Sequence, residues 1–188
     1  AQIESLAGNT NVTIQATNSI TIEQMSDGFL AFQAGSGSIT FEANGTFVSD
    51  SSIITNGRDI NITAGSIALD SLVLYDLSTS GGSISLTTTS GDLTFRNITA
   101  GLVNNPGDVE ISVSPGSSLS FENIGAESLI GSSIPPDPLD GTITVNGVVQ
   151  PQGNLSFYEI VGGVPTDGSE TPGGGTPGGG GTPGGGVI

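Results

Sequence analysis

Apolar and polar residues alternate along this chain in short bursts, and the bursts recur. Val12-Thr-Ile14, Ile39-Thr-Phe41, Ile60-Asn-Ile62, Ile84-Ser-Leu86, Val109-Glu-Ile111 and Ile143-Thr-Val145 each place two apolar side chains on one side and a polar one on the other. This period of two is that of a half-buried strand, not of a helix. Gly with a neighbouring Ser or Asp stands shortly before most of them, as in Gly82-Ser-Ile84 and Gly107-Asp-Val109, which places a turn ahead of each strand. A second segment follows after a short gap. Leu93-Thr-Phe-Arg-Asn-Ile98 matches Leu119-Ser-Phe-Glu-Asn-Ile124 and Ile67-Ala-Leu-Asp-Ser-Leu72, and Ile20–Met25 and Leu155–Ile160 fit the same frame. Phe47–Ser52 keeps only its beginning.

Self-similarity on this scale marks a stack of repeats. The first-strand anchors are 27, 21, 24, 25 and 34 residues apart, as expected of coils that share a core and differ in their loops. Strand periodicity excludes helical repeats, and propeller blades need four strands and a longer period. The pattern therefore predicts an all-β fold, a right-handed parallel β-helix (β-solenoid) of about six coils, spanning residues 1–165. Its apolar stripe carries the core, and like residues of successive coils lie above one another.

Two columns of polar residues follow from that alignment. Gln24, Ser71, Asn97, Asn123 and Glu159 share one position, where Asn97 and Asn123 are expected to form an amide ladder at a bend that tolerates left-handed backbone. Glu23, Asp70, Arg96 and Glu122 share the next, so that Arg96 is expected between Asp70 and Glu122 as an outward-facing ion stack. Each of these residues is expected to be structural. The insert Ser132–Leu139, with three prolines, is a loop excursion. Beyond residue 165 a low-complexity tail, 166–188, repeats Thr-Pro-Gly around Pro172, Pro177 and Pro183 and ends in Val187-Ile188. It reads as a linker, or as a polyproline-like docking arm for self-assembly.

Composition narrows the chemistry. Of 188 residues, 18 are acidic and two are cationic, Arg58 and Arg96, for a formal net charge of −16. Nucleic acid and anionic membrane surfaces both demand clustered cations, so neither is expected as a partner. No apolar run is long enough for membrane insertion as a helix. Without His, Cys or Lys the usual nucleophile–base pairs and zinc sites cannot be assembled, and no catalytic, cofactor or metal residue is expected. Calcium is the remaining metal, but Asp137–Asp140 and Asp167–Glu170 lack the spacing of a calcium loop. Carboxylate pairs would suit a glycosidase, and β-helices do host pectin-degrading enzymes, yet the Asp clusters of those enzymes are not reproduced. One Thr87-Thr-Thr89 run does not make an ice-binding array. Sequons occur at Asn11, Asn44, Asn61, Asn97 and Asn154, a number that arises readily in a chain so rich in Ser, Thr and Asn. The opening Ala1-Gln2 suits a processed end or an excised piece.

The recurring Gly-Ser/Asp-Ile-x-Ile followed by Leu-Thr-Phe-x-Asn-Ile resembles the coils of filamentous-haemagglutinin-type exoproteins over residues 11–160. That resemblance implies a β-helical rod displayed outside a bacterial cell, secreted or on the surface. No binding motif and no functional residue carries over. The functional expectation is an extracellular structural protein, a filament subunit that self-associates through its solenoid ends or its tail. The alternative is the rigid stalk of an adhesin that engages host proteins or glycans elsewhere.

Overall fold

A computed structural model describes residues 2–72, 75–100, 107–125, 143–149, 154–161 and 164–165. The chain winds as a β-solenoid of about four turns, each with three short strands, and a fifth turn continues the stack. The first turn carries β1 (Val12–Ala16), β2 (Ile20–Ile22) and β3 (Phe29–Ala31). The second carries β4 (Ile39–Ala43), β5 (Thr46–Ser49) and β6 (Ser52–Ile54), the third β7 (Ile60–Ala64), β8 (Ser66–Leu69) and β9 (Leu77–Ser78). The fourth has β10 (Ile84–Thr88), β11 (Leu93–Thr94) and β12 (Asn97–Thr99), the fifth β13 (Val109–Ser112) and the longer β14 (Leu119–Gly125). A strand that crosses over and returns parallel to itself in the same sheet takes the right hand.

The strands stack as three parallel faces. β1, β4, β7, β10, β13 and β15 (Ile143–Val145) form the first, and β2, β5, β8 and β11 the second. β3, β6, β9 and β12 form the third, and β14 spans the second and third together. Register follows the repeat. Val12, Ile39, Ile60, Ile84, Val109 and Ile143 are successive partners. So are Ile20, Phe47, Ile67, Leu93 and Leu119. Their members from Val12 to Val109 and from Ile20 to Leu119 line the core, where Ile39, Phe47, Ile60, Leu93 and Leu119 are fully buried and Phe95 stacks on Phe121 at 5.3 Å. Each such aliphatic contributes roughly 1.5–3 kcal/mol by leaving water.

Two features depart from the sequence expectation. The coil has a third strand, whose column Leu30–Ile53–Leu77–Ile98–Ile124 lines the same core. Leu77, rather than Leu72, is the partner of Ile98, because the third coil takes five further residues to reach its third strand, where Asp76 already pairs with the coils on both sides, and Leu72 is 75% exposed. The second departure is at the far end. There Val145-Asn146-Gly147-Val148 makes a hairpin from β15 back along β16 (Val148–Val149), with Asn146 and Gly147 both at positive φ. β17 (Asn154–Val161), which contains the segment aligned with the second strand of a sixth coil, runs antiparallel to β14. It is followed by β18 (Val164–Pro165), again antiparallel. Reversal at residues 146–147 is what turns the last repeat from a further coil into a cover for the exposed strand edges.

Candidate functional site

Corners hold the coils in register, and polar side chains do so by reaching one turn along the stack. The residue before β1, β4, β7, β10 and β13 is Asn, Ser or Asp, and the side-chain oxygens of Asn11, Asp59 and Ser83 accept from the equivalent backbone N–H of the next coil. Ser38 N–H donates to Asn11 at 2.9 Å, Ser83 N–H to Asp59 at 2.8 Å and Asp108 N–H to Ser83 Oγ at 3.3 Å. Ser118 N–H donates to Asp92 and Thr46 N–H to Ser19 in the same way. The Asp59 and Asp92 carboxylates thus have a structural use, as acceptors for amides that the strands leave unpaired.

Of the expected ladder, Asn97 and Asn123 are register partners on β12 and β14. Both lie in strands, and among the described residues the non-glycine ones at positive φ are Asn56, Ser80 and Asn146 instead. Asn56 and Ser80 stand at the corner between the third and first faces, and Asn146 in the β15–β16 hairpin. The residue beneath Asn97 is Asp76, not Ser71, through the same loop that displaces Leu72. Asp76 is buried and takes Ser71 N–H and Ser71 Oγ, both at 2.9 Å, and the backbone N–H of Arg96 and Asn97. Its carboxylate ties Ser71 to the start of the third strand and both to the next coil.

Arg96 Nε lies 3.6 Å from exposed Asp70 and its Nη2 lies 3.5 Å from Asp76. The guanidinium thus turns toward the third coil. Glu122 meets Arg96 through the backbone, its N–H donating to the Arg96 carbonyl at 3.0 Å. Arg96 thus pairs with Asp70 as the alignment suggests, and shares its guanidinium with the buried Asp76. Pro172, Pro177, Pro183, Val187 and Ile188 lie outside the described residues.

Arg58 was given no role by the sequence pattern, and it is fully buried. It occupies a corner column whose other members are Thr10, Gly37, Gly82 and Gly107. Its side chain runs back beneath two coils: Nε donates to Gly37 O at 2.7 Å and Nη2 to Thr10 O at 2.5 Å. The guanidinium sits 5.6 Å from the Phe32 ring centre, and Nη1 has no hydrogen-bond partner. Burial pulls its pKa below the ordinary arginine value. Gly37 makes this path possible, since a Cβ there would stand 2.5 Å from Thr10 O.

Three surfaces remain on which a partner could act. The first is the first-turn edge: Ile3 of the short 3-10 segment Gln2–Ser5 packs on the core and the outward N–H groups of Phe29 and Ala31 on β3 are taken by Asp27 and Glu4, while Ile14, Ile20, Ile22 and Met25 stay only partly buried. Val12 N–H is used toward the next coil, on Ser38 O, so the N–H and C=O of the alternate residues Thr13 and Gln15 point outward from the stack. The second surface is the exposed Leu72.

The third is a notch at the corner between the first and second faces. There β4 turns into β5 in two residues (44–45) and β7 into β8 in one (65). The flanking coils take three (17–19) and four (89–92). The corner is drawn in at the second and third coils, leaving a recess of about 400 Å³ lined by Gln15, Glu42, Asn44, Thr63, Thr17 and Thr89, with Ala16 and Ala43. Gln15, Glu42 and Thr63 are successive register partners, and Gln15 Nε2 donates to Glu42 Oε2 at 2.5 Å.

Among the described residues no three Asp, Glu, His or Cys side chains gather where a metal could be held. No helix among them is long and apolar enough to cross a membrane. The chain matches no family model, no curated protein and no solved structure.

Proposed function

We propose that this chain is a non-catalytic structural protein of an extracellular or cell-surface filament, in which copies associate through the first-turn edge of the solenoid. The observation that carries the reading is the contrast between its two ends. One end presents outward backbone groups at Thr13 and Gln15 beside half-buried Ile14, Ile20 and Ile22. The other turns back on itself through antiparallel β16 and β17. An uncovered parallel edge with an apolar flank is a template for another strand. The occupant proposed is a second copy, with its Thr-Pro-Gly tail and terminal Val187-Ile188 supplying the added segment.

Sedimentation velocity and negative-stain microscopy test this on the full chain. Assembly that rises with concentration is expected. It should be lost in Thr13→Pro, which removes an outward N–H without removing an intramolecular bond, and in a chain cut after Val164. Polymers that survive both changes, or a wild-type chain that stays monomeric, would overturn the reading.

A second reading is a rigid stalk within a larger exoprotein of the filamentous-haemagglutinin type. It is favoured by the same edge, because a preceding coil would cover it equally well. A permanently monomeric chain would favour this reading.

A further inference from the structure

We propose that the notch spanning the first to fourth coils is a binding site for a neutral oligosaccharide lying along the stack. The inference goes beyond end-to-end association and does not depend on it, since the notch lies on the flank and not at the edge.

The recess exists because of loop lengths. Short turns at 44–45 and 65 withdraw the corner, and the longer turns carrying Thr17 and Thr89 stand at its two ends. Stacking then places one hydrogen-bonding residue per coil along the floor, Gln15, Glu42 and Thr63, on strands about 4.8 Å apart, with the Gln15 amide and Glu42 carboxylate joined by a hydrogen bond. The Asn44 amide stands beside them. A chain of sugar rings presents hydroxyl groups at regular intervals along its length, so a row that carries a donor or acceptor residue on each coil is a matching surface. Planar carboxylate and amide groups can each hold two neighbouring hydroxyls, and threonine can both donate and accept.

The chemistry of the lining selects against other ligands. There is one carboxylate, already engaged by Gln15, which is too few for a divalent cation. That same carboxylate, on a chain of net charge −16, repels phosphates and uronic acids. Backbone groups of the interior coils are spent on coil-to-coil pairing, so an extended peptide finds no edge here. Only Ala16 and Ala43 offer apolar contact, and no aromatic ring lines the site, so binding is expected to be weak, with Kd of about 1 mM.

The test is an NMR titration of the isotope-labelled full chain with four neutral hexasaccharides, of β-linked glucose, α-linked glucose, xylose and N-acetylglucosamine. At least one should give saturable shifts confined to residues 15–17, 42–44, 63 and 89. Glu42→Ala should weaken it about 10-fold and Thr63→Val about 3-fold, both changes being on exposed side chains that leave the fold intact. Raising salt to about 0.5 M should change the affinity less than about twofold, because the ligand carries no charge. The proposal is overturned if no saccharide shifts these residues at about 20 mM, well above the expected Kd. It is also overturned if the shifts lie elsewhere, if neither variant moves the affinity, or if only calcium chloride or a basic peptide perturbs the notch.

Discussion

Truncating Arg58 tests whether the corner of the solenoid depends on a buried cation without a carboxylate. Its guanidinium donates to Gly37 O and Thr10 O, at 2.7 and 2.5 Å, and lies over Phe32. Hydrogen bonds from a charged donor contribute about 1.5–3 kcal/mol each, so two give about 3–6 kcal/mol. A desolvated cation–π contact adds about 2 kcal/mol. Against this stands the cost of stripping water from the guanidinium, several kcal/mol after relaxation, with Nη1 left unpartnered. Arg58→Ala removes the donors and leaves a cavity beneath two coils, and should cost about 3–5 kcal/mol. Arg58→Met removes the same donors but also the desolvation cost, and fills most of the volume, so about 1–2 kcal/mol is expected. Urea denaturation followed by circular dichroism gives both values, provided the slope of the transition is unchanged. A cost below about 1 kcal/mol for Arg58→Ala would refute the reasoning, because the carbonyls of two coils would then be indifferent to their donor.

Leu77→Ala should destabilise by about 2–5 kcal/mol and Leu72→Ser by less than about 0.5, since the first is fully buried and the second exposed; equilibrium unfolding of the two separates the observed register from the simple repeat alignment. Gly82→Ala would set a Cβ 2.3 Å from Arg58 O and should abolish folding, whereas Gly57→Ala, at φ +91° with nothing nearby, should cost about 1 kcal/mol; soluble yield and thermal melts report both. Asp76→Ala removes the acceptor of five donor contacts, two from Ser71, two from Arg96 and one from Asn97, and should cost about 2–4 kcal/mol with faster hydrogen exchange at residues 71, 96 and 97. Arg96→Gln should lower the melting temperature more at low than at high salt, because its pair with Asp70 is open to solvent.

What could be read from the sequence was whatever repeats with the strand period. The six first-strand anchors and the Ile67–Leu93–Leu119 column are in register because a slip of one residue would turn each apolar pair to solvent. The third strand was harder to see. Its segments are two or three residues long, and β9 follows a loop that a fixed-period alignment reads straight through. Ser71–Leu72 matched Asn97–Ile98 by spacing, yet the carboxylate that closes the loop is five residues further on. Composition also concealed the notch, since it depends on differences in turn length between coils, not on any motif.

The dipeptide Asn-Gly shows why local chemistry alone did not settle the last repeat. Asn56-Gly57 and Asn146-Gly147 have the same left-handed geometry. At the first pair the chain leaves Thr55, whose hydroxyl bonds Arg58 O, and the next strand lies on a new face of the coil. Asn56 also reaches down to Phe32 O on the coil beneath. At the second pair two adjacent strands of the same face run antiparallel, and Asn146 instead receives Val113 N–H from the preceding coil. A turn of one geometry therefore extends the solenoid where side chains tie it to the stack around a corner, and terminates it where the next apolar residues can pair directly with those just laid down. Replacing Gly147 would disturb the end hairpin and leave the first four turns in register, because none of their pairings passes through it.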